Sequence, residues 1–389
     1  MRVLDKYLAE LVHAQFENRV ASDIPNGVMV DDIVTIAVKN QMRYLLLEAL
    51  IKVRNISEEE RIRLKSLILP SIYQTAVQVH ELKELEITFD TEKIINQPMK
   101  GSIIKFLYPS PEMREMSDID ILIEPDSMSH ARVILEKRGY SLYESIKHHD
   151  IYIKYPYLIL EAHRAMYDKS VDSNQYNYFQ NFSRTHVKDG TKCTQVLDIE
   201  DFYVYMMAHM AKHFYEMGCG IRHLVDIYVY LIKYDSVLNR EYVDSELDKC
   251  GILEFTKKME EITFIWLGHE QEDELHDIIF SYMMDSGIYG KDENGIWNKF
   301  IYEKIKKHEM SRLQLRIWYW FPPLHYMSEQ YPYLEERPWL LPWAWIARGI
   351  NGVVYSKGSY KRDMIKHISK EQINNMQKVY LALNLKFRI

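Results

Sequence analysis

The residues best suited to chemistry lie in one stretch, MKGSIIKFLYPSPEMREMSDIDILIEP (99–125), where Asp118 and Asp120 are separated by one isoleucine at the head of an apolar run. On a strand, residues i and i+2 point to the same face with Cα atoms about 6.5–7 Å apart. Two carboxylates so placed can converge on divalent cations, and hard ions such as Mg²⁺ take carboxylate oxygens while keeping positions open for water and phosphate. Two such ions about 3.5–4 Å apart stabilise the attacking and leaving oxygens of a phosphoryl displacement. An Asp-x-Asp also occurs in turns and on solvated strand edges, but Ile119, Ile121, Leu122 and Ile123 set this one at the rim of a buried strand.

Two further features favour an anion-binding site. Gly101 and Ser102 lie between a short apolar segment (Ile94, Ile95, Met99) and a helical one (Ile103 to Leu107), so their amides can face an anion at a helix start, where glycine permits close approach. Downstream, Glu161 in LILEAH shares a strand face with His163, and a third carboxylate on a neighbouring strand would complete a metal site. For His163, metal ligand, acceptor-positioning group and satisfied structural histidine all stay open.

The elements that must carry these groups can be read from periodicity. Residues 1–92 read as helices; Ser57 to Glu60 forms a capping box that opens a long helix toward residue 89, bent or broken at Pro70. Between about 93 and 198 the period changes. Ile119, Ile121 and Ile123 alternate, Ser127 to Arg138 is helical and closed by Gly139, and two strands (150–155 and 157–163) flank Pro156. Residues 168–195 read as a polar loop, and from 199 to 389 the pattern is helical, with 201–215 and 221–234 strongly periodic. The expected fold class is α+β, with a helical region at 1–92, a core at 93–198 and a helical region at 199–389 that contains an aromatic, proline-rich segment (318–346).

Composition excludes several classes. At 389 residues, 47% hydrophobic and 27% charged, the chain can bury a sizeable core and is not a disordered tract. Its net charge of −7 argues against broad electrostatic binding to nucleic acid. The three cysteines, without any CxxC, suggest neither a disulfide framework nor a zinc site and fit a reducing cytoplasm. Asp5, Lys6 and Glu10 interrupt the apolar run that a signal peptide needs, and PWLLPWAWI (338–346) is about half the ~20 residues of a membrane span. In the aromatic segment, buried packing outweighs a binding surface as the expected role.

A Gly-Ser pair, a hydrophobic-flanked Asp-x-Asp and a third acid on a later strand resemble the nucleotidyltransferase superfamily with the polymerase β-like core. The wording resembles one bacterial branch, the uncharacterised nucleotidyltransferases, through MKGS (99–102), PEMREMSDIDILIEP (111–125), LEAHRAMYD (160–168), AHMAKHFYEMGCGIRHLVDIYVYL (208–231) and LLPWAWIAR (340–348). The resemblance implies a minimal core of short mixed sheet and helices. It also implies transfer of a nucleoside monophosphate from an NTP, ATP foremost, to an acceptor hydroxyl or phosphate, with release of pyrophosphate. Asp118, Asp120 and Glu161 would be the catalytic and metal-binding acids, for two Mg²⁺ ions with Mn²⁺ as the alternative. Lys100, Gly101, Ser102 and Arg114 would meet the triphosphate. The acceptor would be a small molecule or a protein. The gap from Ser102 to Asp118 is longer than in the compact superfamily pattern and holds Pro109 and Pro111, and the third acid is glutamate where many relatives carry aspartate.

Competing readings use the histidines. His209 and His213 are i,i+4 on one helix face; without the glutamate of HExxH they suit a core or acceptor pocket better than zinc. Arg222 and Asp226 have the same spacing and read as an ion pair. His148, His149 and Asp150, with His209, His213 and Asp226, could be cast as an HD-type phosphohydrolase site. Such a site is built on helices, whereas KHHDIYIKY alternates at the strand period. An inactive nucleotide-binding module is the non-enzymatic alternative.

Overall fold

A computed structural model describes residues 1–146, 149–167, 173–180, 182–268, 273–291, 312–354 and 370–384. The chain forms two compact units, Met1–Lys212 with Gly220–Asp273, and His213–Cys219 with Glu274–Asn384. The fold is mixed α+β, as the periodicities require.

In the first unit, helices α1 (Val3–Phe16), α2 (Val30–Lys39) and α3 (Arg43–Ile51) precede a long α4 (Glu58–Thr91). The Ser57 hydroxyl caps α4 by accepting from the Glu60 amide at 3.2 Å. The expected break at Pro70 does not occur, and the helix is continuous through it. Proline forfeits one backbone bond there. Against that loss, Leu64, Ile68, Ser71, Thr75, Gln78, Glu81, Leu85 and Phe89 recur every three or four residues as one buried face on both sides of the proline.

A five-stranded sheet follows, with β1 (Asn96–Pro98), β2 (Ile119–Ile123), β3 (Ser141–Ser145), β4 (His149–Lys154) and β5 (Leu158–His163) in the order β1-β2-β5-β4-β3. Between β1 and β2 lies the short helix α5 (Gly101–Ile104), and α6 (Met128–Lys137) links β2 to β3. Strands β2 and β5 are parallel; the other pairings are antiparallel. One sheet face is apolar: Ile119, Ile121, Ile123, Leu158, Leu160, Ala162 and Tyr152 pack with Leu85 and Phe89 of α4 and Ala131, Ile134 and Leu135 of α6. Alternation therefore sends Asp120, Glu161 and His163 to the other face.

Two strands escape the sequence pattern. β1 is three residues long, and β3, an edge strand, is mostly exposed, so neither alternates against a core. The polar stretch 168–195 also holds a helix, α7 (Ser173–Tyr178), and a strand, β6 (Thr185–Val187), which pairs with β7 (Gln195–Leu197). Helices α8 (Ile199–Glu216), α9 (Arg222–Tyr234), α10 (Arg240–Lys249) and α11 (Leu253–Leu267) follow.

In the second unit, Met327, Leu334 and Ala344 form a small core with Tyr326, Tyr331, Leu340, Leu341 and Trp345 against it. The Trp345 indole donates to the Pro322 carbonyl at 2.8 Å. The aromatic segment is thus part packing and part surface, since Trp320, Trp339 and Trp343 are exposed. Among the described residues, no helix is long and apolar enough to cross a membrane.

Phe89 joins α4 to the sheet and is fully buried. Phe89→Ala should lower the stability of the first unit by about 3–5 kcal/mol in urea unfolding, whereas the exposed Ile87→Ala should fall within about 0.5 kcal/mol of the parent.

Candidate active site

Parallel pairing sets Asp120 of β2 beside Glu161 of β5, and Ile121 beside Ala162. Asp118 stands just before β2, two residues ahead of Asp120. Asp120 is buried, and its Oδ1 accepts from the Lys100 ammonium at 2.6 Å and lies 2.9 Å from His163 Nε2. That imidazole nitrogen is also 3.3 Å from Glu161 Oε2. The sheet therefore brings Asp120, Glu161 and His163 together, with Lys100 bonded to Asp120 and Asp118 at the head of the same strand.

The electrostatics follow from crowding negative charge in a desolvated place. Burial pushes the Asp118 carboxyl up to about 7; Asp120 and Glu161 add to the rise, and Lys100 and His163 oppose it. For Asp120, burial acts upward but Lys100 and His163 prevail, holding it well below the carboxylate range. The bond to His163 holds Glu161 low against burial. His163 is raised, since its bonds to Asp120 and Glu161 outweigh desolvation.

Lys100 reaches Asp120 from an unusual backbone, φ 49° and ψ −122°. Residues in such sparsely populated regions cost on the order of 1–3 kcal/mol and persist only where their surroundings hold them. The Met99 amide bonded to the Asp120 carbonyl at 3.0 Å supplies one such hold. Next, Gly101 starts α5, and a Cβ built on it would come within 2.5 Å of Arg114 Nη1 and 3.1 Å of Met116 Sδ. Glycine is thus required by contact. Ser102 is buried, and its hydroxyl has no hydrogen-bond partner among the described residues.

Arg114 is buried in a forked pair with Asp226 of α9, Nε at 2.8 Å and Nη2 at 3.0 Å, while the Tyr108 hydroxyl donates to the same carboxylate at 2.7 Å. The expected Arg222–Asp226 pair is therefore not formed. Arg222 donates instead to the Glu115 carbonyl at 2.9 Å and to the Gln41 side chain. Arg114 does stand beside the Gly-Ser turn, but its charge is already matched by Asp226, so it is a fixed part of the wall. Sequence spacing could not reveal a partner 112 residues away.

The segment leading into β2 is held from several sides. The Glu115 carboxylate accepts from Arg43 Nε at 2.8 Å, Gln41 donates to Ser117 Oγ at 2.5 Å, and Gln78 of α4 donates to the Met116 carbonyl at 3.0 Å. Sequence reasoning also missed Lys105, fully buried under this segment, whose ammonium is pushed down to about 7 by burial and by the charge of Arg114.

The remaining histidines separate. His209 lies one turn along α8 from Tyr205, with ring centroids 6.3 Å apart, and the Tyr205 hydroxyl is 3.6 Å from Met99 Sδ. His213 belongs to the second unit. His148 lies outside the described residues. His149 and Asp150 occupy opposite faces of β4, and Asp150 is bonded to Arg164 at 2.8 Å, so the HD-type arrangement is not assembled among the described residues.

A model of the family described as uncharacterised nucleotidyltransferase matches residues 26–268. Among solved structures, the antibiotic-resistance factor ANT(2'')-Ia, determined in solution, aligns over 51% of this chain and 100% of its own with 10% identity and a TM-score of 0.32, too loose a likeness to carry an argument. No curated protein matches the chain.

The charge arrangement sets a pH dependence for the metal-free chain. Asp118, raised in the folded state, binds a proton there that the unfolded chain has released, so folding is favoured below the ordinary carboxylate pKa and the advantage is lost as pH rises toward about 7. His163, also raised, acts in the same sense through its own higher window, whereas depressed Asp120 loses stability only in strong acid. Because His223 and Lys105, both held low by burial, add stability as pH rises through this range, the Asp118 contribution is read as a difference. In chelator, thermal unfolding should show Asp118→Asn gaining on the wild type from pH 5 to pH 8 and exceeding it at pH 8 by about 0.5–2 kcal/mol; a difference that does not change with pH would contradict the crowding of charge.

Proposed function

Because the chain belongs to the uncharacterised nucleotidyltransferase family, we propose that it is a Mg²⁺-dependent enzyme that transfers a nucleoside monophosphate from an NTP, ATP foremost, to an acceptor hydroxyl or phosphate, releasing pyrophosphate. The observation that supports this reading is the pairing of Asp120 with Glu161 on adjacent strands, with Asp118 close enough for its carboxyl to feel both and Lys100, next to Gly101, bonded to Asp120. The residues fit such a group. Ser102 offers a buried hydroxyl without a partner among the described residues, and Gly101 lets the turn pack directly against the Arg114 guanidinium and Met116.

Asp118, Asp120 and Glu161 would hold the Mg²⁺ ions, which when bound supply positive charge at the triphosphate and lower the proton affinity of the acceptor. Ser102 donates to a β- or γ-phosphate oxygen, and Gly101, lacking a Cβ, lets that turn sit against Arg114. Lys100, partly exposed and bonded to Asp120, is the cation able to turn toward phosphate. Arg114 adds a fixed positive field from its pair with Asp226. His163 orients Asp120 and Glu161, and His209 with Tyr205 lines the acceptor side. Catalysis is then mainly positioning and electrostatic stabilisation in a desolvated cleft.

The acceptor class that fits is a small molecule or protein side chain, since a net charge of −7 does not favour nucleic acid. A cytoplasmic setting, rich in NTP, suits the three buried free cysteines.

Incubation with Mg²⁺ and labelled NTPs, followed by mass spectrometry of the protein and of a metabolite extract, should give one labelled adduct and pyrophosphate. Asp118→Asn with Asp120→Asn should reduce turnover by a factor of 10³ or more, roughly what loss of a transition-state contact of about 4 kcal/mol produces. Nucleotide binding with no turnover on any acceptor would point to the inactive binding module, and absence of both binding and turnover would sink the assignment.

A further inference from the structure

The same sheet face carries donors that a hard ion does not call for. His149 of β4 sits directly opposite His163 of β5, so the two imidazoles share the face on which Glu161 stands two residues before His163. One ligand atom from each of His149, Glu161 and His163 lies within 4.8 Å of the other two. His163 Nε2 and Glu161 Oε2 are 3.3 Å apart, close to the roughly 3.3–3.5 Å between two ligands of one tetrahedral ion with bonds of about 2.0–2.1 Å. The imidazole rings are tilted by 39° with centroids 5.0 Å apart, rather than stacked flat.

We propose that His149, Glu161 and His163 form a site for a first-row transition ion of the Zn²⁺ type, which shares Glu161 with the Mg²⁺-holding acids but differs in chemistry from the Asp118 and Asp120 position. Mg²⁺ demands an octahedron of oxygens, whereas imidazole nitrogen suits zinc, iron, copper and nickel, and two of these three donors are nitrogen. Two histidines and one carboxylate also match the donor count of three-ligand zinc sites, which keep a position open to water or substrate. Burial is graded in a useful way. His163 is buried while His149 and Glu161 are only partly so, which leaves a route for the ion from solvent. Asp120, 2.9 Å from His163 Nε2, stands at the boundary between the two positions, with Lys100 already on it. The site rests on strand register and donor type and does not require nucleotidyl transfer.

The test uses the full chain, stripped with chelator and free of nucleotide. Titration with Co²⁺ should produce visible absorption that saturates at one ion per chain, and Zn²⁺ should displace it while millimolar Mg²⁺ does not. His149→Ala should weaken Zn²⁺ binding, followed by calorimetry, by roughly tenfold or more, and Asp118→Asn should leave it unchanged. Absence of saturable one-to-one binding, displacement by Mg²⁺, or wild-type Zn²⁺ affinity in His149→Ala would each overturn the proposal. If circular dichroism shows that His149→Ala does not fold, Glu161→Gln takes its place with the same two readings. Loss of nucleotide turnover leaves these binding outcomes untouched, so the two proposals fail separately.

Discussion

Like charges forced together in a desolvated setting are the constraint on which the rest of the structure depends. Asp120 and Glu161 lie side by side on parallel strands, with Asp118 close enough for its proton affinity to feel both. In the folded chain that repulsion is met by Lys100 and His163. Lys100 does so from a backbone conformation that few residues with a side chain adopt. Crowded like charges that two cationic groups only partly offset are a pattern that clusters at functional sites.

A second layer keeps those acids where they are. The Arg114–Asp226 fork fixes α9 to the Gly-Ser turn, and the residues from Glu115 to Ser117 are bonded to Gln41, Arg43, Gln78 and Arg222. A buried ion pair adds little net stability over well-packed apolar groups, but removing one partner leaves an uncompensated charge. Its value lies in geometry: a forked guanidinium admits few alternative poses. The segment that carries Asp118 therefore behaves as part of the framework although it has no regular structure.

Much of the face was legible in the sequence because strand alternation is a local property. The run from Ile119 to Ile123 and the run from Leu158 to His163 each reveal which residues share a side, and so Asp120, Glu161 and His163 could be named together. What remained hidden was set by distance along the chain. Nothing local couples Arg114 to Asp226, and the nearer Arg222 offered a plausible partner that the fold uses elsewhere. The exposed edge strand β3 has no buried side to impose a period. At Pro70 the local rule was sound but was outweighed by the buried face on either side of it. His149 was read with its neighbour Asp150, although adjacency on a strand separates two side chains.

The parallel register of β2 and β5 also decides where this chain can change length. A single residue inserted within either strand would rotate every following side chain to the other face, sending an acid into the apolar core or an apolar residue onto the acidic face. The connections that begin and end outside those strands carry no such parity, and the turn at Tyr155 to Tyr157 is already exposed at its tip. Insertions and deletions among relatives should therefore gather in the connections, leaving the two short strands with a fixed count of residues.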